Sequence, residues 1–318
     1  MISFINRLYK KPNRSLGNID KIIQDDLNLF PNIDEYLKEL YTLEKYNFQD
    51  LSEREIYDVF YDFAKILPTN FGLMNQRKFN KHKFYRVRLK KEIGSTEDIS
   101  ITQTFSFPPP NVCSQNGRAN LKHKSVFYCS NEPYAAILES KPEIGDEGYL
   151  SIWEGNSNKT MKIGICLPFD LPDENEWNLM AKDVANNLFK SLPIEAKNKY
   201  EHYIKLYEFT ANKYISEEKP YYLTSMISNE MLYGELWRDF IIYPSVMAKS
   251  SYCNMAFHPN SATENLKFEK IIQFKVHNIN SEKIELKLGK VGYISNTKLI
   301  WREKTKSEVK LFSGKLTF

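Results

Sequence analysis

The 318-residue chain contains no window of about 18 consecutive apolar residues, so no transmembrane helix is expected. Its start, Met1-Ile2-Ser3-Phe4-Ile5-Asn6-Arg7, lacks a long apolar stretch, so a secretory signal peptide is not expected either. Cysteines are few. Cys113, Cys129, Cys166 and Cys253 are scattered without a C-x-x-C pair, which reads as reduced thiols in a cytoplasm. The five histidines show neither i, i+4 pairing nor cysteine-plus-histidine spacing, so no zinc motif and no metal site is expected. G-x-S-x-G, the P-loop and G-x-G-x-x-G are all missing. A formal net charge of +4 is too mild to argue for nucleic acid by itself. What the chain does have is a 42% hydrophobic fraction, enough for a real core, and a length that suits one large or two modest domains.

Residues 1–80 read as helical. Asn32 and Glu35 form a capping-box pattern before Ile33, Tyr36, Leu37, Leu40 and Tyr41. Ser52 and Glu55 repeat it before Ile56, Val59, Phe60, Phe63 and Leu67, with Pro31 and Pro68 as punctuation. From Phe84 the period changes to that of a strand, with Tyr85, Val87 and Leu89 on one face and Arg86 and Arg88 on the other. Phe107 to Asn111 is a proline-rich loop. Strands are expected at Ser125–Ser130, Tyr149–Trp153, Met161–Leu167, Asp239–Ser245 and Asn254–Phe257, and again after about Lys267. Helices are expected from Pro133, over 173–215 with a break near Pro193, and over Tyr221–Leu232. The domains follow: a helical region 1–80, a catalytic domain 81–275 with a helical insertion at about 171–216, and a strand-rich extension 276–318.

Several residues in this pattern carry chemistry. In the Gly117-Arg118-Ala119-Asn120 turn, backbone N–H groups and a guanidinium can converge on an anion, and the arginine fork pairs bidentately with phosphate. Tyr128 is either a core tyrosine or a stacking platform for a flat ring. Glu139 follows the apolar run Ala135-Ala136-Ile137-Leu138. It is either a carboxylate that needs a partner or a helix-end residue paired with Lys141. Ser245 ends a strand, as a binding residue or as a turn serine. Arg86 and Arg88 are either ligand-binding or two solvated side chains on an edge strand. The basic stretch 77–91, interleaved with Phe79, Phe84 and Tyr85, could hold RNA or form a solvated face.

Taken together, these residues resemble the RES-domain family, named for arginine, glutamate and serine. The likeness rests on Phe84-Tyr85-Arg86-Val87, Gly117-Arg118-Ala119-Asn120, Val126-Phe127-Tyr128, Ala135-Ala136-Ile137-Leu138-Glu139, the helix Tyr222 to Tyr233, Phe240 to Val246 and Asn254-Met255-Ala256-Phe257. It covers roughly residues 81–260. Ser140-Lys141-Pro142 and the long 170–220 insertion depart from the family's pattern.

The resemblance implies an α+β fold similar to ADP-ribosyltransferase toxins, with small mixed sheets around a cleft. It implies an enzyme that degrades NAD, the substrate rather than a cofactor, often as a bacterial toxin neutralised by an antitoxin. Carried over, Glu139 and Arg86 are the catalytic residues. Arg118, Tyr128, Ser245 and Asn120 bind substrate. The expected partners are NAD and an antitoxin or other regulatory protein. The helical region 1–80 is expected to serve a partner or a homo-oligomer. An ADP-ribosyltransferase and a nucleic-acid-binding protein remain as alternatives.

Overall fold

The computed structural model describes residues 30–64, 71–191, 194–234, 237–280, 283–310 and 316–317. Its helices of seven residues or more are α1 Ile33–Glu44, α2 Glu53–Ala64, α3 Pro133–Glu139, α4 Asn178–Ser191, α5 Tyr200–Ser216, α6 Tyr222–Tyr233 and α7 Pro259–Asn265. The strands are β1 Phe71–Met74, β2 Lys83–Leu89, β3 Phe127–Ser130, β4 Glu147–Gly155, β5 Met161–Ile165, β6 Phe240–Pro244, β7 Cys253–Phe257, β8 Leu266–Ile279, β9 Ile284–Ser295, β10 Lys298–Arg302 and β11 Leu316–Thr317. The class is α+β. No helix among the described residues is long and apolar enough to cross a membrane.

Two compact units emerge, both discontinuous in sequence, whereas the divisions drawn at residues 80 and 275 are linear cuts. The first gathers residues 1–72, 114–124 and 164–238. In it α1 packs on α2 and α5, and α6 packs on α2 and α5. The helix starts follow their sequence signals. Asn32 accepts from the Glu35 N–H at 3.0 Å. The Ser52 N–H and hydroxyl reach Glu55 Oε2 at 2.8 and 2.7 Å, and the Glu55 N–H returns to Ser52 Oγ at 3.3 Å. Tyr36, Leu40, Leu43, Ile56 and Phe60 are buried from the two stripes, while Leu37 and Tyr41 stay exposed. Glu217 caps α6, accepting from the Leu223 and Thr224 N–H groups at 2.8 Å each.

The second unit holds residues 73–113, 125–163 and 239–318. The strand order is β1-β5-β6-β7-β3-β2-β4-β8-β9-β10, with β11 parallel to β9. Small sheets were expected; the strands form one 11-stranded sheet instead. The 14-residue β8 and 12-residue β9 extend the sheet from β4, so the C-terminal segment continues it. The ladder is nevertheless thin at its centre. β2 pairs with β4 at seven positions and β3 with β7 at four, but β2 and β3 share only Tyr85↔Ser130.

One face of the sheet carries α3, whose Tyr134, Ala136 and Ile137 pack with Leu89, Leu150, Ile152, Ile272 and Phe274. A different cluster joins Phe79, Phe84, Phe127, Trp153, Phe240 and Phe257 through ring contacts of 4.6 to 6.3 Å. Each fully buried ring contributes about 1.5–3 kcal/mol, so these clusters are the rigid floor beneath the polar residues described next.

Residues 1–80 are not all helical. Phe71–Met74 is a strand, too short to declare a period, and a Cβ at Gly72 would meet Ile165 Cδ1 at 2.6 Å. A side chain there would push the end of the Ile165 side chain aside. Residues 1–29 and 65–70 of that region, Pro68 and Leu67 included, lie outside the described residues.

Candidate active site

β2 builds one side of the site. Alternation sends Tyr85, Val87 and Leu89 into the core under α3, and Phe84, Arg86 and Arg88 to the opposite face. Directly paired residues share a face, so Ser130 and its β7 partner Asn254 lie with Tyr85. Tyr128, two residues before Ser130, belongs to that face as well, and Cys129 to the face of Arg86.

Beyond Tyr85 and Ser130 the ladder between β2 and β3 opens. Arg86 enters the opening. Its Nη1 donates to the Tyr128 carbonyl at 3.0 Å, so a side chain satisfies an acceptor that the ladder leaves over. The guanidinium also lies 5.7 Å from the Phe127 ring centre. Its Nε is buried without a hydrogen-bond partner, and it makes no ion pair among the described residues. Burial, reinforced by repulsion from Arg88, pushes its pKa down to about 10.

Arg88, two residues on, is occupied differently. Its fork holds both oxygens of Glu97 at 2.6 and 3.0 Å, together with the Thr104 and Glu92 carbonyls. Neither arginine is a free solvated cation. Arg88 braces a loop, whereas Arg86 is half-buried, with a buried Nε and no ion pair among the described residues.

Glu139 is the last residue of α3. Lys141, with a left-handed φ of 47°, turns the chain away, and its N–H caps the Leu138 carbonyl at 2.9 Å. A carboxylate at a helix C-terminus faces the unfavourable end of the dipole, typically by about 0.3–1 kcal/mol. Two donors offset this. Ser245 Oγ donates to Glu139 Oε1 at 2.7 Å, and Asn254 Nδ2 donates to the same oxygen at 2.9 Å. Both donors are neutral, so they orient the carboxylate without cancelling its charge. Its partners are thus Ser245 and Asn254 rather than Lys141.

Ser245 fills the role of a turn serine and also bonds Glu139. Its oxygen accepts the Ala248 N–H at 3.2 Å, as a turn serine does, while its proton goes to Glu139. Behind Asn254 stands Ser130, whose hydroxyl donates to Asn254 Oδ1 at 2.5 Å. The next residue, Asn131, clips the strands together, since its Oδ1 accepts the Cys253 N–H at 2.8 Å.

Arg118 and Asn120 belong to the first unit. Gly117 and Asn120 form a tight bridge, and Asn120 Nδ2 bonds the Leu121 carbonyl at 2.9 Å. Arg118 Nη1 donates to the Tyr214 carbonyl at 2.7 Å, and the guanidinium lies 4.7 Å from the Tyr221 ring centre. Tyr221 is itself held at a left-handed φ of 57°.

No protein-family model matches the chain, and no curated protein matches it. The structure therefore brings Glu139, Ser245, Asn254, Ser130 and Tyr128 to one face, with Arg86 reaching the β2–β3 opening from the other. Ser130 and Asn254 were not singled out from sequence. Asn254 had a legible signal: it is the one amide in Cys-Asn-Met-Ala-Phe, a strand buried at every position, where a polar group must find a partner. Among the described residues no group of three or more His, Cys, Asp or Glu is placed to hold a metal ion, and the four cysteines are free.

Proposed function

We propose that this chain is an NAD-degrading enzyme with a RES-like, ADP-ribosyltransferase-like arrangement, acting in the cytoplasm as a bacterial toxin or defence effector. The observation that supports it most is the half-buried Arg86 guanidinium, which makes no ion pair among the described residues and has a buried, unpartnered Nε, in the same unit as the fixed carboxylate of Glu139 at the end of α3. A half-buried guanidinium with no ion-pair partner suits a ligand that brings negative charge, such as a diphosphate. A ligand that meets both groups has to cross the β2–β3 opening. The single ladder pair there, with five strands of the main path on each side, is the feature most akin to small sheets around a cleft.

In this reading the bond between ribose C1′ and the nicotinamide nitrogen breaks, and its electron pair leaves with neutral nicotinamide. Positive charge builds on the ribose carbon and its ring oxygen. Glu139 stabilises that charge and holds a ribose hydroxyl, as a carboxylate does beside an oxocarbenium-like transition state. Within the second unit, Arg86 is assigned to the diphosphate, Tyr128 to the nicotinamide end and Ser245 to a substrate contact. An incoming oxygen completes the bond to C1′. Water releases ADP-ribose and a proton, and inorganic phosphate gives the 1-phosphate of ADP-ribose. A protein side chain as acceptor makes the enzyme an ADP-ribosyltransferase, the runner-up. An antitoxin or regulatory protein is the proposed partner.

A nucleic-acid role for residues 77–91 has less support. Lys83 pairs with Glu269, Arg88 with Glu97, Lys90 with Glu147 and Lys91 with Asp146, at 2.6 to 2.8 Å, while Arg86 is turned inward. These cations already have local counter-charges, so few remain to neutralise phosphates. The test is purified protein with NAD, with and without phosphate, and products separated by chromatography. Release of nicotinamide supports the proposal; intact NAD after prolonged incubation sinks it.

A further inference from the structure

Resting on that reading, we infer that Ser130 and Asn254 are positioning residues, a two-step relay that fixes which oxygen and which face Glu139 presents to the ribose. The argument starts from hydrogen-bond chemistry. Asn254 Oδ1 can only accept, and Nδ2 can only donate. Ser130 Oγ lies 2.5 Å from Oδ1 and supplies the proton there. Glu139 sets the amide orientation, because its Oε1 accepts and the flipped amide would turn Oδ1 against it, two acceptors facing each other; the Ser130 hydroxyl, which can donate or accept, then holds the amide in place. With the flip locked, Nδ2 faces Glu139 Oε1 at 2.9 Å.

The relay is rigid for three reasons. Ser130 and Asn254 are direct partners in the β3–β7 ladder. They are 2% and 7% exposed, so water cannot substitute freely for either bond. The Asn131 clip to Cys253 holds the strands beside them. Ser245 approaches the same Oε1 from another element at 2.7 Å. Two donors on Oε1 define the carboxylate plane, and neither of these bonds uses Oε2. Oε2 is therefore the oxygen for the ribose. Ser130 touches neither Glu139 nor, in this scheme, the substrate. It acts through Asn254.

The relay separates from a merely structural role in kinetics. Ser130→Ala leaves Asn254 Oδ1 without its donor, loosens the amide and should lower kcat for NAD cleavage about five- to tenfold with KM little changed, as for one hydrogen bond lost in the transition state. Ser130→Thr keeps the hydroxyl and should recover most of that loss. Asn254→Asp keeps the shape but sets a like charge against Glu139, so its kcat should fall further than that of Asn254→Ala. Thermal unfolding of each variant provides the folding check. Unchanged kcat in folded Ser130→Ala, or Asn254→Asp no worse than Asn254→Ala, overturns the relay.

A second measurement does not need NAD cleavage at all. The side-chain amide of Asn254, followed by NMR in the wild-type chain, should be protected from solvent exchange and should shift in Glu139→Gln. In Ser130→Ala it should lose protection. An amide that exchanges freely in the wild type, or ignores both substitutions, refutes the relay. A protected amide in a protein that leaves NAD intact rejects the NAD reading alone.

Discussion

Ser245 Oγ donates to Glu139 Oε1 at 2.7 Å, joining the end of β6 to the end of α3 across 106 residues of sequence. Neither residue marks a helix or strand interior. Each closes its element, and the two ends meet on the buried ladder of β3 and β7. This single bond turns an electrostatically disfavoured helix-end acid into an oriented one.

The first prediction concerns that acid. Glu139→Gln keeps shape and removes charge, so NAD cleavage should fall by about two to three orders of magnitude without loss of fold. Ser245→Ala should also lower the rate, by less, and should lower Tm because the Ala248 N–H loses its acceptor. In the double variant the losses should not add, since the two residues act through one bond. Steady-state kinetics with circular dichroism as the fold check decides it. Near-native turnover by folded Glu139→Gln would falsify the assignment.

The second prediction opposes stability to function at Arg86. Arg86→Met removes a half-buried cation that makes no ion pair among the described residues, so Tm should change little despite the bond lost to Tyr128. NAD binding should be abolished in the same variant. Arg86→Lys keeps charge but loses the fork, so KM for NAD should rise. Calorimetry and kinetics measure the two sides. Cleavage of nicotinamide riboside as fast as NAD would remove the diphosphate role from Arg86.

The third prediction concerns pH. Burial pushes the His258 pKa down to about 4, and the same cause lowers that of His202. Between about 6.5 and about 4 the unfolded chain binds more protons at these sites than the folded one. Stability should therefore be full above about 6.5 and decline as pH falls through this window. His258 Nδ1 accepts the Asn260 N–H at 3.2 Å at the start of α7, a role that asparagine can take over. His258→Asn should flatten the slope of the urea midpoint against pH over this range. An unchanged slope would show that His258 titrates normally.

The fourth prediction concerns the N-terminal helices. Sequence pattern suggested a separable module. Contacts instead place α1 and α2 in one unit with α5 and α6, where Tyr36 and Phe60 are fully buried. The Tyr36 hydroxyl donates to the Ala64 carbonyl at 2.9 Å, and Phe30 packs on His202 with ring centres 5.4 Å apart. A chain starting at Lys78 should expose the apolar sides of α5 and α6 and aggregate on expression. Soluble, monomeric, NAD-cleaving protein from that chain would restore the module view.

Local rules were legible without the fold. The boxes at Asn32 and Ser52 start α1 and α2 because capping needs only residues three apart. Alternation in Phe84 to Leu89 gave β2 and its two faces, and the same period in Ile284, Leu286 and Leu288 gave the buried side of β9. The break expected near Pro193 falls on residues outside those described; α4 is given to Ser191 and α5 from Tyr200. The four-residue β1 was missed because so short a run carries no period, and α7 because Pro259-Asn260-Ser261 reads as a turn.

The amino-acid sequence by itself determined the elements, their faces and the presence of an acid in an apolar run, because those depend on neighbours within a turn or two. The tertiary structure alone decided what the acid touches. Glu139 meets donors 106 and 115 residues away, and no local pattern encodes such a distance. It also decided that β2 and β3 share one ladder pair, which is why Arg86 reaches the Tyr128 carbonyl while Arg88, two residues on, grips Glu97. Pairing and burial arise from the whole sheet, so identical side chains on one strand acquire different environments and different chemistry.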